Sequence, residues 1–230
     1  MSITINIKKF SEAEGLDITI PTEWKDIKLD YWAKLATIIS KHQKNTELKK
    51  TSHRERYSES EDLEKIIQDV EFVDSIGLNR DIFCYLSGLS IDDMKKVDMD
   101  QVNKVIETIG MLTEEYKPQG IKSFDCDGET YYFPSESLKN NTYGDFIEAT
   151  HLDMASENME NGRYDALAEQ MAILCRKAGE DFDDDAIPEK TKKFKKLTMD
   201  IVYEFAFFLT IQSKKLLKIS SMYSEKRETV

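Results

Sequence analysis

Apolar and polar positions alternate in two short stretches near the start of the chain. Ile3, Ile5 and Ile7 are separated by polar residues, and Ile18 and Ile20 repeat the pattern beyond Glu14-Gly15. A period of two carried by β-branched residues belongs to strands, so 2–8 and 16–20 are predicted as a hairpin. Pro21 closes the second strand, because it has no N–H with which to continue a ladder. The period then changes. Asp30 is placed to cap a helix to about Ser40, with Tyr31, Trp32, Leu35, Ile38 and Ile39 at helical spacing. Residues 41–60 offer almost nothing apolar and are predicted as a solvated, mobile loop. Helical periodicity resumes over 61–76 (Leu63, Ile66, Ile67, Val70, Val73), 79–87 (Ile82, Phe83, Leu86) and 99–114 (Val102, Val105, Ile106, Ile109, Leu112).

The second half opens in the same way. Asp127-Gly128 supplies the positive-φ pair of a tight hairpin turn between Ile121–Phe124 and Glu129–Phe133, and Pro134 ends that hairpin. Helices are predicted over 142–158, 164–178 and 198–219, with the acidic stretch 180–185 and Pro188 between the last two. Three segment pairs match in order: Pro21-Thr-Glu with Pro134-Ser-Glu, Ile82–Gly88 with Ile173–Gly179, and Met94–Val102 with Phe194–Val202. The last pair shares Lys-Lys, Met-Asp and Val in register, and the changes of offset fall near 41–60 and 180–188. The expectation is an internal duplication. The fold class is then α+β, mainly α-helical, with two similar lobes, each a β-hairpin followed by several helices. The lobes are placed at 1–117 and 118–220, with 221–230 a flexible tail.

Composition narrows the function classes. The 230 residues carry a formal net charge of -12, which argues against a wholesale nucleic-acid binder. A hydrophobic fraction of 40% is enough for a packed core. Three cysteines without metal or redox spacing read as reduced thiols in a cytosolic protein. Cys84 and Cys175 occupy equivalent places in the matched segments and read as small buried fillers, whereas Cys126 falls in the hairpin turn, an exposed position. The N-terminus lacks a signal pattern, and the apolar stretch Ile201–Ile211 is too short to cross a bilayer, so no membrane association is expected.

Candidate chemistry is sparse. Asp181, Asp183 and Asp185 alternate like the start of a calcium loop, but Ala186 and Lys192 stand where the loop needs Gly and Glu. His42, His53 and His151 have no zinc-ligand spacing. Phosphate loops, nucleophile elbows and metalloprotease motifs are missing from the sequence, so neither a metal, a cofactor nor an enzymatic activity is expected. Lys190, Lys192, Lys193, Lys195 and Lys196 form a basic patch suited to an anionic partner, and 41–56 holds six basic and two acidic residues. Basic and acidic stretches side by side also permit salt-sensitive self-association, a possible homo-oligomer.

Phe124–Pro134 followed by Thr142–Ile147, Ala168–Cys175, Glu204–Phe208, and Ile20-Pro-Thr-Glu-Trp24 leading to Leu29-Asp-Tyr-Trp32 together resemble small proteins encoded among the structural genes of tailed bacteriophages. The resemblance implies a non-enzymatic assembly role, a tail-assembly chaperone binding other phage structural proteins in the host cytoplasm. It carries over no catalytic residues. The alternatives are a structural or packaged virion component (neck, connector or cargo protein) and a nucleic-acid-associated factor using the patch at 190–196. Trp24, Trp32, Tyr131 and Tyr132 are the expected partner contacts, since aromatic residues dominate interface hot spots.

Overall fold

The structure is a computed structural model and describes residues 2–8, 15–110, 116–134, 143–156 and 162–227. It is mainly helical with two small antiparallel sheets, an α+β fold. The chain divides into two compact units, Met1–Asp26 with Tyr31–Glu115, and Ile27–Asp30 with Tyr116–Val230. Apart from Ile27–Asp30, the division in sequence falls at 115/116. Ile27–Asp30 is the departure: it belongs to the second unit although the first surrounds it in sequence.

In the first unit, β1 (Ser2–Ile7) and β2 (Leu16–Pro21) pair antiparallel from Ser2↔Pro21 to Ile7↔Leu16. Their alternation buries Ile5, Ile7, Ile18 and Ile20 on one face, while Thr4 and Thr19 hydrogen-bond on the other. A two-stranded ribbon needs a helical partner to be stable. That partner is supplied by Phe83 of α2 (Leu63–Ser87) and by Val102, Val105 and Ile109 of α4 (Met99–Gly110), which join the four isoleucines and Leu35 in one core. Leu112, the last residue of the predicted stripe, lies outside the described residues.

The stretch 41–60 corrects the sequence reading. α1 runs unbroken from Leu29 to Arg56, so most of the expected loop, with His42 and His53, is helix. Asp30 sits in its first turn and not at its cap. The span contains neither Pro nor Gly and is rich in Lys, Gln, Glu and Arg, all favourable helix formers. α2 is likewise one helix; Gly77, where two helices were expected to part, lies inside it. The two run antiparallel, joined by His42–Asp81 (2.8 Å), Lys49–Asp74 (2.6 Å) and Lys50–Glu71 (2.6 Å). The seam between them combines these charged cross-links with the half-buried Leu63, Ile66, Ile67 and Val70 of α2. α2 ends at Gly88, whose φ of 68° closes the helix with an N–H bond to the Cys84 carbonyl. The short α3 (Ile91–Met94), capped by Ser90, follows.

In the second unit, β3 (Ser123–Cys126) and β4 (Glu129–Tyr132) form the predicted hairpin, with Asp127 and Gly128 both at positive φ. Cys126 is a correction: it is the last residue of β3, inward-facing with Phe124, and buried. The helix expected over 164–178 stops earlier. α6 (Arg163–Leu174) gives way at Cys175 to β5 (Arg176–Lys177), a third strand paired to β4 through Tyr131↔Lys177 and Tyr132↔Arg176. α6 is the central helix, with eight buried residues from Ala166 to Leu174. α5 (Tyr143–Ala155) packs on it, as does α7 (Ile187–Phe194), a helix begun by Pro188 that periodicity over eight residues did not reveal. α8 (Met199–Arg227) extends through most of the expected tail, whose residues up to Arg227 include no Pro or Gly to stop it. Ile27–Asp30, which holds the bridge residue Lys28 and the first two residues of α1, belongs to this unit. The Leu29 N–H donates to the Leu197 carbonyl (2.7 Å), the Met199 N–H to Ile27 (2.7 Å), and Ile27 and Leu29 are buried.

The matched segments fare differently. Lys95, Lys96, Val97 and Val102 donate to Ile91, Asp93, Met94 and Asp98; Lys195, Lys196, Leu197 and Val202 donate to Thr191, Lys193, Phe194 and Thr198. Both first lysines end their helices at the same dihedrals, φ -58° with ψ -16° and -17°. The cysteine pair diverges, since Cys84 lies inside α2 whereas Cys175 ends α6 and leads into a strand. The likeness is local, and a duplication of whole lobes is not established by it.

Candidate functional site

The basic patch comes apart. Lys190 is 7% exposed. Its ammonium donates to Glu180 Oε1 and to the Cys175 carbonyl, both at 2.9 Å, and stands 5.4 Å from the Tyr131 ring centre. Burial pushes its pKa down from the ordinary lysine value, partly offset by Glu180. Lys195 pairs with Asp165 at 2.9 Å. Lys192, Lys193 and Lys196 form no ion pair among the described residues. Two of the five lysines are therefore paired within the protein, Lys190 on the buried side of α7 and Lys195 at its C-terminal end.

The expected aromatic contacts also separate. Tyr131 is 3% exposed, edge-on to Phe194 and stacked on Phe124, so it has no surface to offer a partner. Tyr132, the next residue of β4, faces the other way and is exposed. Trp24 and Trp32 meet edge to face at 4.9 Å and are both half-buried, Trp32 against the core of the first unit.

A cleft of about 570 Å³ opens beside β5, walled by Tyr132, Phe133 and Pro134 on one side and by 176–181 on the other. Apart from the exposed Asp181, its charged side chains are paired. The Arg176 guanidinium donates to the carbonyls of Ile173 and Cys175, lies 3.5 Å from Asp145 and covers the Phe182 ring at 5.0 Å. Lys177 pairs with Glu129 (2.9 Å). The Glu180 carboxylate accepts the Lys177 N–H (2.6 Å) and the Lys190 ammonium. Burial pushes the Glu180 pKa up, but those two donors outweigh it and hold the carboxyl below its ordinary value. Glu180 therefore anchors the start of the acidic stretch. Beneath the cleft, burial pushes the Cys175 thiol far up, the opposite of what a nucleophile requires. Among the described residues no cluster of His, Cys, Asp or Glu could hold a metal ion.

The second candidate lies in the first unit. From residue 36 through 81 no residue is buried, so the distal parts of α1 and α2 form an arm beyond the core. A helix rises ~1.5 Å per residue, so the 28 residues of α1 span about 42 Å. The outer face of α2 carries Phe72, Val73 and Ile76, exposed by 66%, 63% and 54%. At i, i+1 and i+4 they form one patch. Seven residues beyond Ile76, on the same face, Phe83 is wholly buried. Between the two, Asn79 and Arg80 occupy that face, so the exposed patch is separate from the core. The sequence reading counted Val73 among the apolar positions of the 61–76 helix; periodicity shows that a face is apolar and not how far its partner extends.

Comparison with known proteins yields no match among protein-family models, curated proteins or solved structures. No helix among the described residues is long and apolar enough to cross a membrane.

Proposed function

We propose that the chain is a non-enzymatic assembly protein of the tailed-phage class, a tail-assembly chaperone that holds other structural proteins in the host cytoplasm. The observation that carries this reading is the α1–α2 arm. It buries no residue of its own and exposes a contiguous Phe72–Val73–Ile76 patch, which costs solubility unless a partner uses it. Arg176, Lys177 and Glu180 beside the cleft are paired within the protein, which fits a structural role for these three residues better than a catalytic one. The internal pairing of Lys190 and Lys195 weighs against an anionic nucleic-acid partner.

Quantitative mass spectrometry of purified particles and of infected-cell lysate tests the reading. Abundance in lysate with absence from particles is the expected result. A fixed copy number per particle would make the chain a virion component instead. Detection in neither fraction would remove the assembly role.

A further inference from the structure

The cleft beside β5 holds two side chains that the rest of the protein leaves unused. Tyr132 is 46% exposed, and its ring and hydroxyl have neither a ring contact nor a hydrogen bond among the described residues. Asp181 is exposed and forms no ion pair among them. The neighbouring charges cancel in pairs: Arg176 with Asp145, Lys177 with Glu129, Glu180 with Lys190. The cleft is therefore left with one uncompensated negative charge together with an aromatic face. Just beyond it in sequence, Asp183, Asp184 and Asp185 are exposed and also form no ion pair among the described residues, so the surrounding field has the same sign.

We infer that this cleft is the docking site for an arginine side chain of a partner protein, its guanidinium stacked on Tyr132 and paired with the Asp181 carboxylate. The inference rests on the assembly reading for its biological setting and names the chemistry of the partner held. The group is a cation because an aromatic face attracts one and the free carboxylate pairs with it, whereas an anion would meet Asp181 with every neighbouring cation already taken. It is a guanidinium because that group is planar, stacks on a ring while its N–H edge reaches a carboxylate, and is more weakly hydrated than an ammonium. The cleft volume of about 570 Å³ exceeds that of one side chain, so residues flanking the arginine enter with it, which a protein segment supplies and a small free cation does not. Of the four aromatic residues expected from sequence to meet a partner, Tyr132 is the one that lines this cleft.

The test titrates the isotope-labelled full chain with a capped pentapeptide, one arginine between alanine pairs, and with the same peptide carrying citrulline, which has the shape of arginine without its charge. NMR amide shifts report both. The arginine peptide should move the Tyr132, Gly179 and Asp181 amides saturably, with an affinity that falls at least about threefold from low to high salt. The citrulline peptide should bind at least about threefold more weakly. Tyr132→Ala and Asp181→Asn, both at exposed sites, should keep the wild-type circular dichroism and each weaken the arginine peptide at least about threefold. Equal binding of the citrulline peptide, unchanged binding in either variant, or no saturable shift at these amides overturns the inference. Spermidine moving the same amides with equal or higher affinity would assign the cleft to a free polyamine and overturn it too. These outcomes are independent of the particle measurement, so either reading can fail alone.

Discussion

Lys190 and Lys192 are two residues apart on one short helix and have opposite surroundings. The Lys190 ammonium is enclosed with Glu180 and a carbonyl, whereas Lys192 is exposed. Removing one member of a buried pair leaves its partner uncompensated, so Lys190→Met should lower stability by about 2 kcal/mol or more. Lys192→Met should change it by less than about 0.5 kcal/mol, as surface substitutions do. Urea midpoints at constant slope measure both. Glu204, also buried, has three donors: the Tyr116 hydroxyl (2.9 Å) and the backbone N–H groups of Gln119 and Gly120. Glu204→Ala strands them and should cost about 3 kcal/mol, and Glu204→Gln, which keeps one acceptor, about half as much. Neither residue announces its role in sequence. A buried Lys or Glu is written with the same letter as a solvated one, and only a partner brought from elsewhere distinguishes them.

At the scale of the element, two glycines make opposite predictions. Gly77 is inside α2, and a methyl there would meet His42 at 3.5 Å, an ordinary contact. Gly77→Ala should therefore raise the urea midpoint, by about 0.5–1 kcal/mol, through the lost flexibility of glycine in a helix. Gly88, at φ +68°, should lose about 1 kcal/mol on replacement by Ala, because a side chain disfavours that conformation. The turn after β5 yields a pH dependence. The folded-state pKa of Glu180 lies below its unfolded value, so the unfolded chain binds its proton first. The stability this group contributes is complete above the ordinary Glu value of 4.5 and is lost as pH falls through the lower folded value. Glu180→Gln should flatten that part of the acid limb of a urea midpoint-versus-pH curve and leave the part due to other carboxylates.

At the scale of the whole molecule, each unit has its own core, and Ile27–Asp30 shows that unit membership does not follow chain order. Four residues with two apolar side chains, Ile27 and Leu29, carry no sequence mark of belonging to a sheet-like bridge with Thr198. The α1–α2 arm is the other feature of this scale. Its length came from helix propensity and cross-helix ion pairs, and its exposed patch lies beyond the first core.

The hairpins were legible because strand alternation and the Asp127-Gly128 turn are local: period and positive φ need no distant partner. The stripe of α4 was legible for the same reason. Three features were decided by tertiary structure alone. These are the short strand β5 at the end of α6, the burial of Tyr131 and Lys190, and the insertion of Ile27–Asp30. Each depends on a group far away in sequence, whether β4 for Arg176, Glu180 and Cys175 for Lys190, or Leu197 for Leu29. Local pattern states what a segment prefers; which face is covered, and by what, is settled only when the chain brings the covering element there.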